Sequence, residues 1–312
     1  LRINISEILD YQTCPSYWAS RWVFKRQLKG ARARALDVGK AAHIALEEIL
    51  KTGGTGAGRI TAALLDDWSL RKLDIDSDAL NEARHLEYWI QNLCKEPFWD
   101  EVLGTELALE SEISPGITLF GRLDAVVRVR GKLRHLQWKT VPASVPWDVF
   151  SRVKQRSLHE GAYGKLGREQ FGPDFTGTLL VGIRKYAHHE RVAGKTCEYC
   201  GSKGYRERNP AEGVYWSDLL VDDRKVERVV QQVISLAVEM QKERERLLKW
   251  KGLVIPIEQR EKACGGMHGN SLCSYIETCD GNFDLWDGFM YEDSDPLGAY
   301  KEGIGNADQA GN

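Results

Sequence analysis

Between residues 121 and 140 the chain reads GRLDAVVRVRGKLRHLQWKT. Asp124 falls in one short apolar run, and Gln137 and Lys139 fall in the next, with a Gly-Lys turn between the runs. Alternate residues of a strand share a face, so Gln137 and Lys139 point the same way and a neighbouring strand can bring Asp124 beside them. A carboxylate and a neutral oxygen donor on a divalent cation, with a lysine alongside, suit phosphodiester hydrolysis. The metal activates water and offsets phosphate charge, while the ammonium orients the water or stabilises the pentacovalent state. Taken alone, the same spacing also fits a surface aspartate beside an edge strand.

Other residues strengthen the chemical reading. His43 lies in GKAAHIALEE with Glu47 one helical turn later on the same face, where an imidazole could serve as a ligand or as a boundary residue. His159 and Tyr163 are four apart in a helical pattern and suit contact with a phosphate or a water. Glu106 and Glu110 occur in the strand-like run EVLGTELALESEI, and periodicity does not choose between them as an added carboxylate.

The seven cysteines form an odd set without an export signal, which favours metal ligation over a disulfide framework. Cys264, Cys273 and Cys279 follow a C-x8-C-x5-C pattern, and Cys14, just before Pro15, is the best candidate for a fourth thiolate. Four thiolates fit either Zn²⁺ or a [4Fe–4S] cluster, although structural zinc more often uses paired CxxC knuckles. Cys197 and Cys200 make a separate CEYC element that His188 and His189 could complete as a zinc site. Its rival is a polar hairpin with an incidental CxxC, because adjacent histidines on a strand point in opposite directions. Cys94 reads as a helical core residue.

These groups need elements to position them. A helix starts near Ser6 and is interrupted at Cys14-Pro15, and residues 36–50 form an amphipathic helix. Two more helices, near 60–70 and 78–95, make a helical arm over 50–98. Three antiparallel strands follow from 101, separated by Pro-Gly and Gly-Lys turns. Then come one helix beginning at VPWDVF, a strand at TGTLLVGIRKY, a polar insert over 187–210, a strand at YWSDLLV and a long helix from about 223. The order describes one α/β domain, residues 1–312, carrying insertions and ending in a frayed tail over 290–312.

Composition narrows the class. The chain has 312 residues, 42% hydrophobic and 28% charged, with a formal net charge of -2. It is long enough for a substantial core. Near-neutral charge argues against a protein that coats DNA non-specifically, but a local basic groove remains compatible with it. Residues 21–35 mix Trp22 and Phe24 with six basic side chains, and SRVKQR adds a second basic cluster. No apolar run of membrane-spanning length, no leader and no GxxxxGK[ST] loop occurs, so a cytoplasmic protein without membrane association and without its own ATP-driven motor is expected.

In order along the chain, SEILDYQTCPSYW, GKAAHIALEE, LFGRLDAVV, QWKT and HEGAY resemble the PD-(D/E)XK nucleases of the RecB and Cas4-like group, especially phage-borne members. The resemblance covers roughly residues 5–185 and resumes at 264–279. It implies a restriction-endonuclease-like core, with a central mixed sheet flanked by helices and a C-terminal iron–sulfur clasp. By position it places Mg²⁺ or Mn²⁺ binding on His43, Asp124 and Gln137, completion of the site on Lys139, and substrate contact on His159 and Tyr163. It further implies a structural [4Fe–4S] cluster on Cys14, Cys264, Cys273 and Cys279. The implied activity is a DNA exonuclease, or a nuclease specific for ends or single strands, in recombination, repair or DNA processing of a phage or mobile element, with a helicase or recombination protein as partner. Two positions depart from the pattern: Gln137 replaces an acidic residue, and His159 replaces a helix glutamine. A neutral ligand binds the ion more weakly, which leaves a DNA-binding adaptor of the same fold as the alternative. An iron–sulfur electron carrier is a third, poorer reading.

Overall fold

The computed structural model describes residues 1–24, 26–28, 34–52, 59–70, 74–95, 98–142, 144–185, 187–209, 212–249 and 289–291. Cys264, Cys273 and Cys279, the residues of the expected tail from 292 onward and the Cys94 side chain lie outside what is described. In chain order the elements are β1 (Arg2–Asn4), α1 (Ile5–Thr13), α2 (Pro15–Trp18) with a π-helical turn at Ala19–Val23, β2 (Arg26–Leu28), α3 (Arg34–Thr52), α4 (Ile60–Leu70) and α5 (Ser77–Lys95). Then follow β3 (Glu101–Ser114), β4 (Ile117–Val129), β5 (Lys132–Pro142), α6 (Trp147–Arg156), α7 (Leu158–Phe171) and β6 (Phe175–Lys185). The chain continues with β7 (His189–Thr196), β8 (Lys203–Glu207), β9 (Val214–Leu220), α8 (Asp223–Lys249) and β10 (Phe289–Tyr291). Among the described residues no helix is long and apolar enough to cross a membrane.

The chain divides into two compact units. One comprises residues 1–31, 108–121 and 223–312, and the other comprises 32–107 and 122–222. In the first, Asn4 caps α1 by accepting the Ser6 amide at 2.7 Å, as a short polar side chain does at a helix start. Pro15 cannot continue α1, and Cys14, with φ -156° and ψ 109°, ends it and opens α2. The buried Glu7 carboxylate accepts from Trp18 Nε1 at 3.1 Å and pairs with Arg244 of α8. Tyr11 donates to Glu239 of the same helix at 2.7 Å. Trp22 is buried and donates to Asp10 at 2.8 Å, and Arg21 pairs with the same carboxylate. These two members of the basic strip therefore serve packing.

The second unit is a mixed sheet between two helical layers. The β4–β5 pair is antiparallel, β5–β6 parallel and β6–β9 antiparallel, and β3 pairs with β4. Parallel neighbours need a crossover, which α6 and α7 supply between β5 and β6. Leu136, Trp138, Ala125, Val127, Leu179, Val181 and Ile183 share one apolar cluster with α3, α4 and α5. Helices α4 and α5, expected as an arm, pack over this same face. The opposite face carries His135, Gln137 and Lys139 and meets α6 and α7. One continuous helix was expected there, but Ser157 is extended (ψ 152°) and splits it in two.

The crossover fits closely: a Cβ on Gly167 of α7 would run into the ring of Phe175 on β6. Gly167→Ala is expected to lower unfolding free energy by about 1–3 kcal/mol through overpacking, despite the ~1 kcal/mol helix-propensity gain. Urea denaturation would check this, with exposed Gln170→Ala as a control shifting stability by no more than about 0.5 kcal/mol.

Candidate active site

The site forms where the sheet opens. The β4–β5 ladder ends at Ala125 opposite Leu136. The next backbone donor on β5, the Trp138 amide, is taken instead by Asp124 Oδ2 at 3.1 Å. The carboxylate thus replaces a missing strand carbonyl and is held in place by main chain. His43 Nδ1 lies 3.7 Å and Lys139 Nζ 3.9 Å from the same oxygen. Ligand atoms of His43, Glu106 and Asp124 all fall within 4.8 Å of one another.

Glu106 arrives by a backbone irregularity. Its φ is +50°, a left-handed conformation that costs a non-glycine residue about 1–3 kcal/mol. Along β3 the exposed positions are odd-numbered before residue 104 and even-numbered from 108 onward. That phase change marks a bulge, a device that re-aims a strand side chain. Glu106 pairs with Arg122 at 2.8 Å. Glu110 lies past the bulge, exposed, and pairs with Arg2 at 3.1 Å. Of the two glutamates, the geometry selects Glu106.

Gln137 is almost fully buried, and its Oε1 has no hydrogen-bond partner among the described residues. A buried carbonyl oxygen left unpaired costs about 1–3 kcal/mol, and a cation ligated by it would remove that cost. The donor set also suits a cation. Burial pushes the Glu106 carboxyl up; Arg122 opposes this, while Asp124 and Glu47 add to it by repulsion. Burial also pushes Asp124 up, but Lys139, His43, His135 and the Trp138 amide outweigh it and leave the carboxyl below its ordinary value. Burial lowers His43 against the pull of Asp124, so its imidazole stays neutral and available as a ligand. An imidazole, two carboxylates and an amide oxygen fit Mg²⁺ or Mn²⁺.

Two further residues complete the surroundings. His135 shares the strand face of Gln137 and Lys139, is fully buried, and is pushed down to about 4 by that burial. Its Nε2 accepts the Asp124 amide at 3.3 Å and its Nδ1 faces Thr178 Oγ1 at 3.4 Å, so the neutral ring steadies Asp124. Period-two counting back from Gln137 could have found it. Lys154 on α6 is lowered by burial first and then by Lys139, which puts a second ammonium near the site. The basic run SRVKQR contained it, on α6. His159 is driven to about 3 by burial, Lys154 and Lys139, and its ring lies 4.4 Å from that of Tyr163. Tyr163 in turn meets His135 edge-on at 4.8 Å.

A family model described as the PD-(D/E)XK nuclease superfamily matches residues 2–280. The chain belongs to the PD-(D/E)XK nuclease superfamily. A crystal structure of a protein from Eubacterium rectale, provisionally designated an exonuclease, is similar to it. The TM-score is 0.49 and the identity 13%, over 90% of this chain and 93% of that one. No curated protein matches the sequence. Asp124 on β4 and Gln137-Trp138-Lys139 on β5 are the residues on which the resemblance in the sequence set the family's motif.

Loss of a ligand should show directly in metal affinity. Glu106→Ala is expected to weaken Mn²⁺ binding at least about tenfold, while Glu110→Ala leaves it unchanged, as measured by isothermal titration calorimetry.

Proposed function

We propose that the protein is a divalent-metal-dependent DNA nuclease acting at ends or on single strands, with exonuclease action as the leading form. The observation that carries this reading is the gathering of Asp124, Glu106, His43 and Lys139 where β4 parts from β5. Mg²⁺ or Mn²⁺ held by Asp124, Glu106, His43 and the Gln137 carbonyl would supply Lewis-acid polarisation of the phosphate and a lowered pKa for water. Lys139 donates to the attacking water or to a phosphate oxygen and offsets the negative charge that grows on the pentacovalent phosphorus. Lys154 adds positive charge on the α6 side. His159 is held neutral, so it offers one N–H to a phosphate oxygen without needing to titrate, beside the Tyr163 hydroxyl. His135 keeps Asp124 oriented by accepting its amide. Water attacks directly, and no protein side chain becomes covalently attached.

Gln137 supports a second reading, a DNA-binding adaptor with weak or absent catalysis, since a neutral oxygen binds the cation less strongly than a carboxylate. Digestion of end-labelled single- and double-stranded DNA with Mg²⁺ and Mn²⁺ separates the two. Lys139→Ala is expected to slow cleavage on the order of 10²–10³-fold, Asp124→Ala to abolish it, and Gln137→Glu to lower the metal concentration required. Parent-like cleavage by the Asp124 and Lys139 variants would remove the assigned site. DNA binding without cleavage by the parent under either metal would establish the adaptor.

The iron–sulfur clasp belongs to the same proposal. Cys14 is buried at the α1–α2 junction. Strand β10, ten residues beyond Cys279, pairs antiparallel with β2, which starts twelve residues after Cys14. Such a return of the late chain to the early one supports a shared cluster, and closing so long a loop would stabilise the fold. Anaerobically purified protein should contain iron and sulfide and absorb in the visible, and Cys14→Ser should lose both. A colourless, iron-free parent would dismiss the cluster.

A further inference from the structure

The hairpin inserted between β6 and β9 carries a second constellation, separate from the catalytic groups. His188, His189, Cys197 and Cys200 place one ligand atom each within 4.8 Å of all the others. In tetrahedral zinc sites, with Zn–N near 2.0 Å and Zn–S near 2.3 Å, neighbouring ligand atoms stand roughly 3.3–3.8 Å apart. Here His189 Nδ1 is 3.4 Å from Cys200 Sγ and 3.3 Å from His188 Nε2. The expected obstacle, adjacent histidines pointing oppositely, does not arise. Strand β7 begins at His189, so His188 lies outside the alternation.

The turn between the cysteines is shaped like a knuckle. Cys197 N–H donates to Ser202 O at 3.0 Å and Gly201 N–H to Cys197 O at 2.8 Å, closing the turn. Gly201 takes φ +72°, which a side chain would resist. The amides of Tyr199 and Cys200 lie against Cys197 Sγ and the Ser202 amide against Cys200 Sγ, and the Cys200 thiol donates to Ser202 Oγ at 3.1 Å.

The groups behind the histidines complete the pattern. His188 Nδ1 meets His85 Nδ1 of α5 at 2.7 Å, which leaves Nε2 turned toward His189 and the cysteines. A ligating histidine is commonly fixed through its other ring nitrogen in this way. Tyr88 of α5 lies against both His188 and Tyr199, with ring centroids 5.0 Å apart in each case.

We propose that His188, His189, Cys197 and Cys200 bind one structural Zn²⁺, with His85 as a positioning residue, so that the ion pins the β7–β8 hairpin against α5. The site has no open catalytic role: its four protein ligands close a tetrahedron. It goes beyond the nuclease reading and does not depend on it.

The test is elemental analysis of the full-length protein from zinc-supplemented growth. About one zinc per chain is expected, retained in Asp124→Ala and Cys14→Ser, which excludes the other two metal centres as its source, and lost in Cys200→Ser and His189→Ala. Should those two variants misfold, differential alkylation of the parent decides: a chelator should expose Cys197 and Cys200 to modification, and added Zn²⁺ should protect both. His85→Ala should still bind zinc, but about 10–100-fold more weakly. Absence of zinc from the parent would overturn the site, as would zinc retained in a folded Cys200→Ser variant or a Cys197–Cys200 disulfide in anaerobically prepared protein. Undiminished affinity in His85→Ala would overturn the role given to His85.

Discussion

The hydrogen bond from the Trp138 amide to the Asp124 carboxylate is the interaction on which the rest of the candidate site depends. A sheet normally satisfies each backbone donor with a neighbouring carbonyl. Where β4 leaves β5, a donor would be stranded, and Asp124 fills the gap. The same opening admits His43 from the helical layer on one face and keeps Lys139 on the other. Substituting a side-chain oxygen for a main-chain one therefore reconciles a buried sheet with an opening that gathers ionisable side chains.

Electrostatics around that opening are arranged by burial. His43, His135 and His159 are all held below the ordinary histidine value, with desolvation as the leading cause. The other ionisable groups gathered there are Lys139, Lys154, Asp124 and Glu106. Neutral imidazoles can accept a hydrogen bond or ligate a cation without competing protons. Repulsion between the two carboxylates, and a Gln137 oxygen without a partner among the described residues, are both costs that a cation would relieve. Gln137 is neutral where the resemblance leads one to expect an acidic residue, so cation affinity is the quantity most exposed to that difference.

Much of this was legible before any coordinates. Period-two alternation placed Gln137 and Lys139 on one face, and the Gly-Lys turn placed Asp124 on the partner strand. The helix assignments for α3, α4, α5 and α8 follow from apolar spacing and hold to within a few residues. Less was legible wherever local geometry departs from its ideal period. Glu106 and Glu110 share a parity, and only the bulge with its left-handed Glu106 separates them. Lys154 and His159 sit on two helices, not one, because Ser157 is extended. His188 and His189 converge on the cysteines because the first precedes the strand.

By itself the sequence determined the types of chemistry available: a carboxylate, an amide and a lysine at strand spacing, two sets of cysteines, and an α/β order of elements. Side-chain identity and short-range period carry that information, because they depend only on neighbours along the chain. Tertiary structure decided which groups meet. It chose Glu106 over Glu110, recruited His135 and Lys154, and brought His85 of α5 behind His188, about a hundred residues away. Such choices rest on where a ladder ends, where a strand bulges and where a helix breaks, and these are settled by packing between segments distant in the chain.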